Sequence, residues 1–457
     1  MDANNLWSLR LGFSTAEADK ISDLGFSKYL KRSLRDHREV REPKFITRSP
    51  KTRSELKIYR KSKTKNELNK ELTNIGMQWR SWLVQQCYES KNPFQEKLNL
   101  FWQNHFVVTS QKVKMPYWIY QHYQTINDYS LGNYKDLVTQ VVRTNAMIKY
   151  LDNNKNVRGK LNENLARELL ELFTLGEGHY TEEDIKNTAK ALAGLNHANG
   201  RAQYRKRQED NSPKTIFGAT GNFKLDEVID LIFKQPNTPY FITEKILKWF
   251  IYDTPPKELV QEYGDILKQN NFELQPFFET LFTKEYTKQT AGSQIKNPLT
   301  FTIQLLKDVE INKPNYTFIA LFLSTQSMDL YNQLNVKGWG GGKDWLTSQI
   351  FLNRQQFVDF VLYGNKSPLA KRLVNRVQKL EGTRVVFHPQ LEFKKYAKAQ
   401  SIIADVTNKM VFEVDENMQL ELNNILLYDF DAQASNANQS VLNVYRYLAR
   451  SAEFQII

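Results

Sequence analysis

The spacing of apolar residues constrains the fold most, because helical intervals recur in thirteen segments spread along the chain. Apolar residues at positions i, i+3, i+4 and i+7 form one face of an α-helix, so each segment predicts an amphipathic helix. No repeat at a solenoid period is evident, which favours one compact multi-helix domain. We therefore predict a mainly all-α fold. The segments are 16–34, 66–89, 93–107, 134–150, 162–175, 182–194, 225–234, 240–252, 257–268, 274–283, 298–308, 316–323 and 351–362.

Alternation typical of strands occurs only late in the chain, at Arg384–His388 and Met410–Val414. It predicts a small irregular or β element in the C-terminal part. We predict four regions: an N-terminal helix in 1–30, a basic linker or extended segment in 31–70, a helical core in 71–365, and a C-terminal region with short strands and a final helix in 366–457.

Length and cysteine content exclude several chemistries. A chain of 457 residues can bury a large core without a disulfide or a structural metal. Its one cysteine, Cys87, excludes an internal disulfide and any site that needs several thiolates. Thiol redox chemistry is therefore not expected.

The net charge of +13 is concentrated in one part of the chain. Residues 31–70 carry about +10 of it, and the rest is close to balanced. This segment is either a solvated linker or a binding site for an anionic polymer such as nucleic acid. In both cases we expect it to be exposed.

The N-terminal residues have no apolar run of the length found in a signal peptide, which favours a cytoplasmic protein. The longest apolar run, residues 317–324, is far shorter than the roughly 18 residues of a membrane span. We expect no membrane span.

Residues 162–192 predict a helical hairpin. Asn162 can cap a first helix that closes at Gly176, and Thr181 with Asp184 can form a capping box for a second. The apolar face of the first helix comprises Leu165, Ala166, Leu169, Leu170, Leu172 and Phe173.

Glu168 and Glu171 lie one turn apart on the first helix, with Arg167 beside them. Two carboxylates at this spacing can share a divalent metal ion or divide acid and base roles. The same spacing also occurs on the solvated or salt-bridged face of an ordinary helix. Spacing alone leaves both interpretations open.

His105 lies among large aromatic residues at the end of the helix that begins near Pro93. In this setting an imidazole can be a metal ligand, an acid or base, or a buried hydrogen-bonding group. If the two helices dock, Glu168 could reach His105, and we expect at least two of these groups to line a solvent-reachable pocket.

A glycine-rich loop at residues 335–345 contains Trp339, Gly340, Gly341, Gly342 and Trp345. Glycines permit close approach of the backbone to a ligand, but they serve equally in a tightly packed loop. The spacing is not that of a dinucleotide or phosphate-binding loop. The tryptophans and glycines are therefore candidate binding residues.

An ordered series of segments resembles the bacterial family of domains of unknown function numbered 1800. The resemblance covers nearly the whole chain, and its longest block is central. The segments are LWSLRLGFS, EKLNLFWQNHF, MIKYLDN, NENLARELLELFTLGEGHYTEEDI, KTIFGATGNF, ITEKILKWF, IKNPLTF, NVKGWGGGKDW and AEFQII.

The resemblance implies candidate residues but names no reaction. Its pattern is kept at His105, Arg167, Glu168, Glu171, Asp184, Trp339 and Trp345. Many relatives carry a His-Asp pair where this chain has Glu209 and Asp210, and two prolines where it has Gln333 and Leu334. A catalytic role for the missing histidine would make this chain altered or inactive.

The resemblance also implies a partner from the family numbered 1501, whose members look like sulfatase or phosphatase relatives and often carry a twin-arginine signal. Co-export with such a partner would place the chain in the periplasm.

Three functions are compatible with the sequence. They are an accessory protein beside that partner, a hydrolase-like or metal-dependent enzyme using His105, Glu168 and Glu171, and an anion or nucleic-acid binder using residues 31–70. A divalent metal ion is the one candidate cofactor.

Overall fold

The structure, a computed structural model, describes residues 1–35, 39–391, 393, 398–427 and 429–457. Within these ranges the chain forms 23 helices and two small antiparallel sheets, which confirms the predicted mainly α-helical fold. No helix there combines the length and the apolar character that crossing a membrane requires. The four regions predicted from the sequence stay predictions, and parts of two of them, at 36–38, 392, 394–397 and 428, lie outside the described residues.

The helices follow one another with short connections. Those of the first half are α1 (Ala3–Leu11), α2 (Ala18–Leu24), α3 (Phe26–Arg35), α4 (Arg53–Lys61), α5 (Lys65–Glu89), α6 (Pro93–His105), α7 (Ser110–Val113), α8 (Pro116–Tyr129), α9 (Tyr134–Val142), α10 (Asn145–Tyr150), α11 (Asn164–Leu170) and α12 (Glu182–Ala191). Those of the second half are α13 (Leu225–Ile232), α14 (Thr238–Phe250), α15 (Lys257–Gln269), α16 (Leu274–Tyr286), α17 (Pro298–Asp308), α18 (Tyr316–Ser324), α19 (Ser348–Tyr363), α20 (Pro368–Glu381), α21 (Ala399–Met410), α22 (Glu416–Ile425) and α23 (Ala437–Ala449).

The strands lie in the middle of the chain rather than where the late alternation predicted them. They are β1 (Leu195–Asn196) paired with β2 (Gln203–Tyr204), and β3 (Lys214–Ile216) paired with β4 (Ala219–Gly221). At residues 384–388 the chain is irregular, although Val385 and Phe387 are buried and their neighbours are exposed. The alternation there reflects one buried face without strand pairing. Met410 is the last residue of α21, and residues 411–415 that follow it are irregular. The late region therefore has the irregular form of the predicted element, with no strand among its described residues.

The central hairpin forms as α11 and α12, which pack against each other. The capping box of Thr181 and Asp184 at the start of α12 is confirmed. The predicted cap at Asn162 is wrong by one residue, because the N-cap of α11 is Glu163, which makes no capping hydrogen bond. Asn162 Oδ1 still accepts a hydrogen bond of 3.1 Å from the N–H of Asn164, the first residue of the helix. Beyond α11 the chain continues as a π-helical turn, Glu171–Leu175, and closes at Gly176 with φ of 84°. The sequence did not predict the π-helical turn.

The N-terminal residues brace α6, and the C-terminal residues brace the segment 294–297. The buried Lys97 of α6 donates to the carbonyls of Leu9 and Gly12 at 2.7 and 2.8 Å. Near the C-terminus, Gln294 and Ile457 exchange two backbone hydrogen bonds of 3.0 and 2.8 Å. These contacts fix α6 and residues 294–297, which both contribute to the candidate site.

The basic segment at residues 31–70 contains the end of α3, all of α4 and the start of α5. Most of its described residues are exposed or half-buried, as its charge predicted, and α4 buries none of its residues. Some charges are paired, including Lys51 with Glu42 and Lys63 with Glu71.

Candidate functional site

A cavity of about 410 Å³ lies where four separate segments meet. The segments are the C-terminal end of α6, helix α14 with the residues after it, residues 294–297 before α17, and the glycine-rich loop 335–345, which we call the tryptophan loop. We call the space the tryptophan-loop cavity. Its walls are Phe101, Asn104, His105, Lys245, Lys248, Trp249, Asp253, Gln294, Ile295, Asn297, Lys337, Trp339, Gly340, Gly341, Gly342 and Trp345.

The π-helical turn after α11 orients two of these side chains. The last four carbonyls of a helix have no partner inside it and must be satisfied from outside. Here Leu172 O accepts from Lys245 Nζ at 3.0 Å, and Phe173 O accepts from His105 Nε2 at 3.1 Å. The hydroxyl of Tyr134 also donates to Phe173 O. The carbonyls at this helix terminus therefore hold His105 and Lys245 in place, although Leu172 and Phe173 themselves do not line the cavity.

His105 is buried and neutral. Burial lowers its pKa well below the usual range, the positive charge of Lys245 lowers the pKa further, and the hydrogen bond to Phe173 opposes both effects. Because a carbonyl can only accept, Nε2 must carry the proton in this arrangement. Nδ1 is then a free acceptor on a residue that lines the cavity.

Three buried polar atoms of cavity-lining residues have no hydrogen-bond partner in the protein. They are Nδ1 of His105, which can accept, and the indole Nε1 atoms of Trp249 and Trp339, which can only donate. Buried polar atoms are almost always paired, so unpaired ones at a cavity call for an explanation. A ligand with both hydroxyl groups and acceptor oxygens could satisfy all three.

The charge of the cavity walls is more positive than negative. Burial lowers the pKa of Lys245 to about 8, still above neutral pH. Lys248 is paired with Glu244 at 2.7 Å, whereas Lys337 is exposed. The one carboxylate among the described lining residues is Asp253, whose pKa is raised by burial although Oδ2 accepts from the Ile295 N–H at 3.0 Å. An anionic group fits this balance better than a cationic one.

The tryptophan loop is held against α6 by Asn104. Its Oδ1 accepts a hydrogen bond of 2.7 Å from the backbone N–H of Trp339. Gly338 has φ of 82°, and a Cβ atom there would lie 2.4 Å from Asn104 Oδ1. Only glycine permits so close an approach, so this part of the loop is built for packing on α6.

The glutamates predicted as site residues do not join His105 at the cavity. Glu168 and Glu171 are both half-buried, and the Tyr180 hydroxyl donates to Glu171 at 2.6 Å. Burial raises the pKa of Glu168 and the charge of Glu171 raises it further, while Arg167 and Lys337 lower it. Neither Glu168 nor Glu171 is among the lining residues of the cavity.

Arg167 and Asp184 serve the hairpin. Arg167 makes two hydrogen bonds to Glu182, of 2.9 and 2.8 Å, which join α11 to α12. Asp184 accepts from Thr181 and, through its other oxygen, from the backbone N–H of Phe217 at 2.8 Å. Both have structural partners that account for their polar groups.

No metal centre is apparent in the described ranges, where no three or more His, Cys, Asp or Glu side chains are arranged to hold an ion. Among the described residues that line the cavity, His105 is the one histidine and Asp253 the one carboxylate. Shared coordination by Glu168, Glu171 and His105 therefore has no geometric support.

The two departures from the resembling family fall outside the cavity walls. Glu209 is buried and pairs with Lys224 at 2.7 Å, and Asp210 accepts from the backbone of Ser212 at 2.9 Å. Gln333 is buried, whereas Leu334 is exposed just before the tryptophan loop. These positions do not alter the lining residues themselves.

Several lining residues were not predicted from the sequence, notably Lys245, Trp249 and Asp253. They lie more than 130 residues from His105, on or just after a helix whose lysines look like an ordinary polar face. The available signal was the resemblance: four of its segments, ending in or containing FWQNHF, ITEKILKWF, IKNP and GWGGGKDW, meet at this one cavity.

Fold and site together define a mainly α-helical protein with an aromatic, positively charged cavity of small-molecule size. A family model described as "Protein of unknown function (DUF1800)" matches residues 5–456, so the chain belongs to that family, as its motifs predicted. Comparison with curated proteins and with solved structures gives no match.

Proposed function

We propose that this protein binds a small anionic molecule bearing hydroxyl groups, such as a sugar acid or a sugar phosphate, in the tryptophan-loop cavity. The observation that carries the proposal is the set of three unpaired buried atoms, His105 Nδ1, Trp249 Nε1 and Trp339 Nε1. A hydroxyl group can donate to the imidazole, and ligand oxygens can accept from the two indoles.

Size, shape and charge support the same ligand class. A volume of about 410 Å³ falls in the range of sites that enclose small molecules. Phe101, Trp249, Trp339 and Trp345 supply flat apolar surface, and amphipathic rings present apolar faces with polar edges. Lys245 and Lys337 supply the positive charge for an anionic group.

Tryptophan fluorescence tests the proposal directly, because three tryptophans line the cavity. We expect gluconate or a hexose phosphate to change the emission in a saturable way. Glucose, which lacks the charge, and acetate, which lacks the hydroxyl groups, should change the emission much less at the same concentrations. Trp339→Phe keeps an aromatic ring and removes the N–H, and Lys337→Gln removes a charge. Each should weaken binding by about tenfold, the loss of one hydrogen bond or ion contact.

A matched control lies in the same loop. Lys343 is exposed and does not line the cavity, so Lys343→Gln should bind as the unchanged protein does. Equal binding by the Lys337→Gln and Lys343→Gln variants, or no saturable response to either hydroxylated anion, would refute the proposal.

Acid–base chemistry at the same cavity is a second candidate, favoured by the neutral His105 and by Lys245 with its pKa of about 8. A general acid or base works best when its pKa lies near the working pH. This candidate replaces the glutamates of the enzyme hypothesis by Lys245. The rate of turnover should then change with pH with an apparent pKa near 8, and this change should disappear in Lys245→Gln but not in Lys248→Gln. A pH dependence that is the same in both variants and the unchanged protein would exclude acid–base chemistry by Lys245.

The accessory role implied by the family resemblance concerns another surface and stays a prediction. It requires a complex with a member of the family numbered 1501, and co-expression followed by size-exclusion chromatography tests it. Binding of anionic polymers by residues 31–70 likewise stays a prediction, supported by the exposure of α4. A small-molecule site is compatible with either.

A further inference from the structure

A second cavity, of about 560 Å³, opens between α5, α7 and α20 and shares no lining residue with the tryptophan-loop cavity. Three basic residues line it: Arg80 of α5, Lys114 directly after α7, and Arg376 of α20. We call this space the arginine cavity. None of these residues belongs to the proposed small-molecule site, so binding at the arginine cavity is independent of that proposal.

Arg80 is the enclosed member of this group. Its side chain is only 14% exposed, and Nη1 lies 3.0 Å from Asp329 Oδ1. Its Nε is buried and has no hydrogen-bond partner. Burial lowers the pKa of Arg80, the charge of Asp329 opposes this, and the charge of Arg376, which lines the same cavity, lowers the pKa further.

The charges at the arginine cavity do not balance. Asp329 is the one carboxylate among its described lining residues, and that carboxylate already accepts from Asn332 Nδ2 at 2.8 Å. Three cations therefore face one anion, and two of them, Lys114 and Arg376, are exposed. Like charges brought together in a concave site are unfavourable unless an anion joins them.

We propose that the arginine cavity is a second binding site, which takes the phosphate group of a small molecule. The guanidinium groups of Arg80 and Arg376 offer planar donors for phosphate oxygens, the Nε–H of Arg80 has no partner in the protein, and Lys114 adds a point charge. Ser110 and Gln111, which also line the cavity, offer polar groups for the rest of the molecule.

Isothermal titration calorimetry with inorganic phosphate, at constant ionic strength, tests this site on the full chain. Arg376→Gln and Lys114→Gln should each weaken binding by about tenfold or more, the loss of one charge-assisted hydrogen bond. Arg372→Gln is the matched control, because Arg372 is exposed one turn earlier on α20 and does not line the cavity. Arg80 is left unchanged because its buried ion pair supports folding.

The two cavities are separated by one further variant. Lys337→Gln should leave phosphate affinity unchanged if phosphate binds in the arginine cavity, and should weaken it if phosphate binds only in the tryptophan-loop cavity. The proposal is overturned by that second result, by equal affinity of the Arg376→Gln and Arg372→Gln variants, or by the absence of measurable heat with the unchanged protein.

Discussion

Asn104 joins the helix that carries His105 to the tryptophan loop, because its Oδ1 accepts a 2.7 Å hydrogen bond from the backbone N–H of Trp339. The two residues are 235 positions apart in the chain. At the end of α6, Asn104 therefore holds the tryptophan loop, and the next residue, His105, lines the cavity. The contact holds the backbone of Trp339, whose side-chain Nε1 is unpaired.

Replacing Asn104 by alanine should free the loop without unfolding the protein. The lost hydrogen bond is worth about 1 kcal/mol, a small part of the stability of a domain this size. Hydrogen exchange measured by mass spectrometry should show faster exchange in residues 335–345, because the Trp339 amide loses its acceptor. Unchanged exchange in that peptide would show that other contacts hold the loop.

The helices could be predicted where one face alone is buried. Helix α13 buries Leu225, Val228, Ile229 and Ile232 at the helical period, and the sequence indicated it clearly. Helix α8 was not predicted because it buries residues on several sides, among them Trp118, Ile119, Tyr120 and His122, so no single stripe is visible. Packing on more than one side removes the periodic signal.

Helix α20, in the C-terminal region, shows a different failure. Leu369, Leu373 and Val377 recur every fourth residue and are buried on α20, so a periodic signal is present although no helix was predicted there. At residues 384–388 the alternation of burial is real, but a strand also needs a partner, and pairing cannot be read from one segment. Local pattern indicates which face is buried, not what covers it.

The candidate site could be predicted only in part. His105 and the tryptophan loop were identified from their composition, yet their convergence depends on tertiary packing. Glu168 and Glu171 were predicted as site residues from their spacing, but two carboxylates at that spacing also occur on helices without a functional site. In the structure Glu171 accepts a hydrogen bond from the hydroxyl of Tyr180. Nothing in the residues next to Lys245 predicts that it lines a site, because the carbonyl that its ammonium group contacts, Leu172 O, lies 73 residues away in the chain.

Gly176 offers a stability test of the turn that orients His105 and Lys245. Its φ is 84°, and a Cβ there would lie 2.9 Å from Phe241 Cδ2. Gly178 has φ of 85° with nothing within 4 Å of the added atom, so it isolates backbone strain from the clash. Both alanine variants should lose about 1–3 kcal/mol through strain, and Gly176→Ala should lose more, as measured by urea unfolding. Equal losses would show that Phe241 moves aside without cost.

The basic helix α4 should be dispensable for folding. It buries none of its residues, so changing Arg53, Lys57, Arg60 and Lys61 together to glutamine removes charge but no core contact. We expect a melting temperature nearly unchanged and a weaker, less salt-dependent retention on heparin. A large drop in melting temperature would place α4 in the scaffold, and unchanged retention would remove it from the anion-binding surface.

His122 predicts a specific dependence of stability on pH. It is fully enclosed, with Nε2 3.0 Å from Phe106 O and Nδ1 2.9 Å from Thr144 Oγ1, and burial lowers its pKa to about 4. In the unfolded chain its pKa is about 6.5, so between these values the unfolded state binds the extra proton.

Stability should therefore fall as pH decreases from about 6.5 towards 4, by up to about 1.4 kcal/mol per pH unit from this histidine, and its contribution should be constant above 6.5. Other groups titrate in the same range, and Asp308, whose pKa burial raises to about 7, acts with the opposite sign. The difference between the unchanged protein and His122→Gln isolates the histidine. Free energies of unfolding in urea at about pH 4.5, 5.5, 6.5 and 7.5 should give a shallower slope for the variant below 6.5 and equal slopes above it. Parallel curves across the whole range would mean that His122 takes up its proton without unfolding.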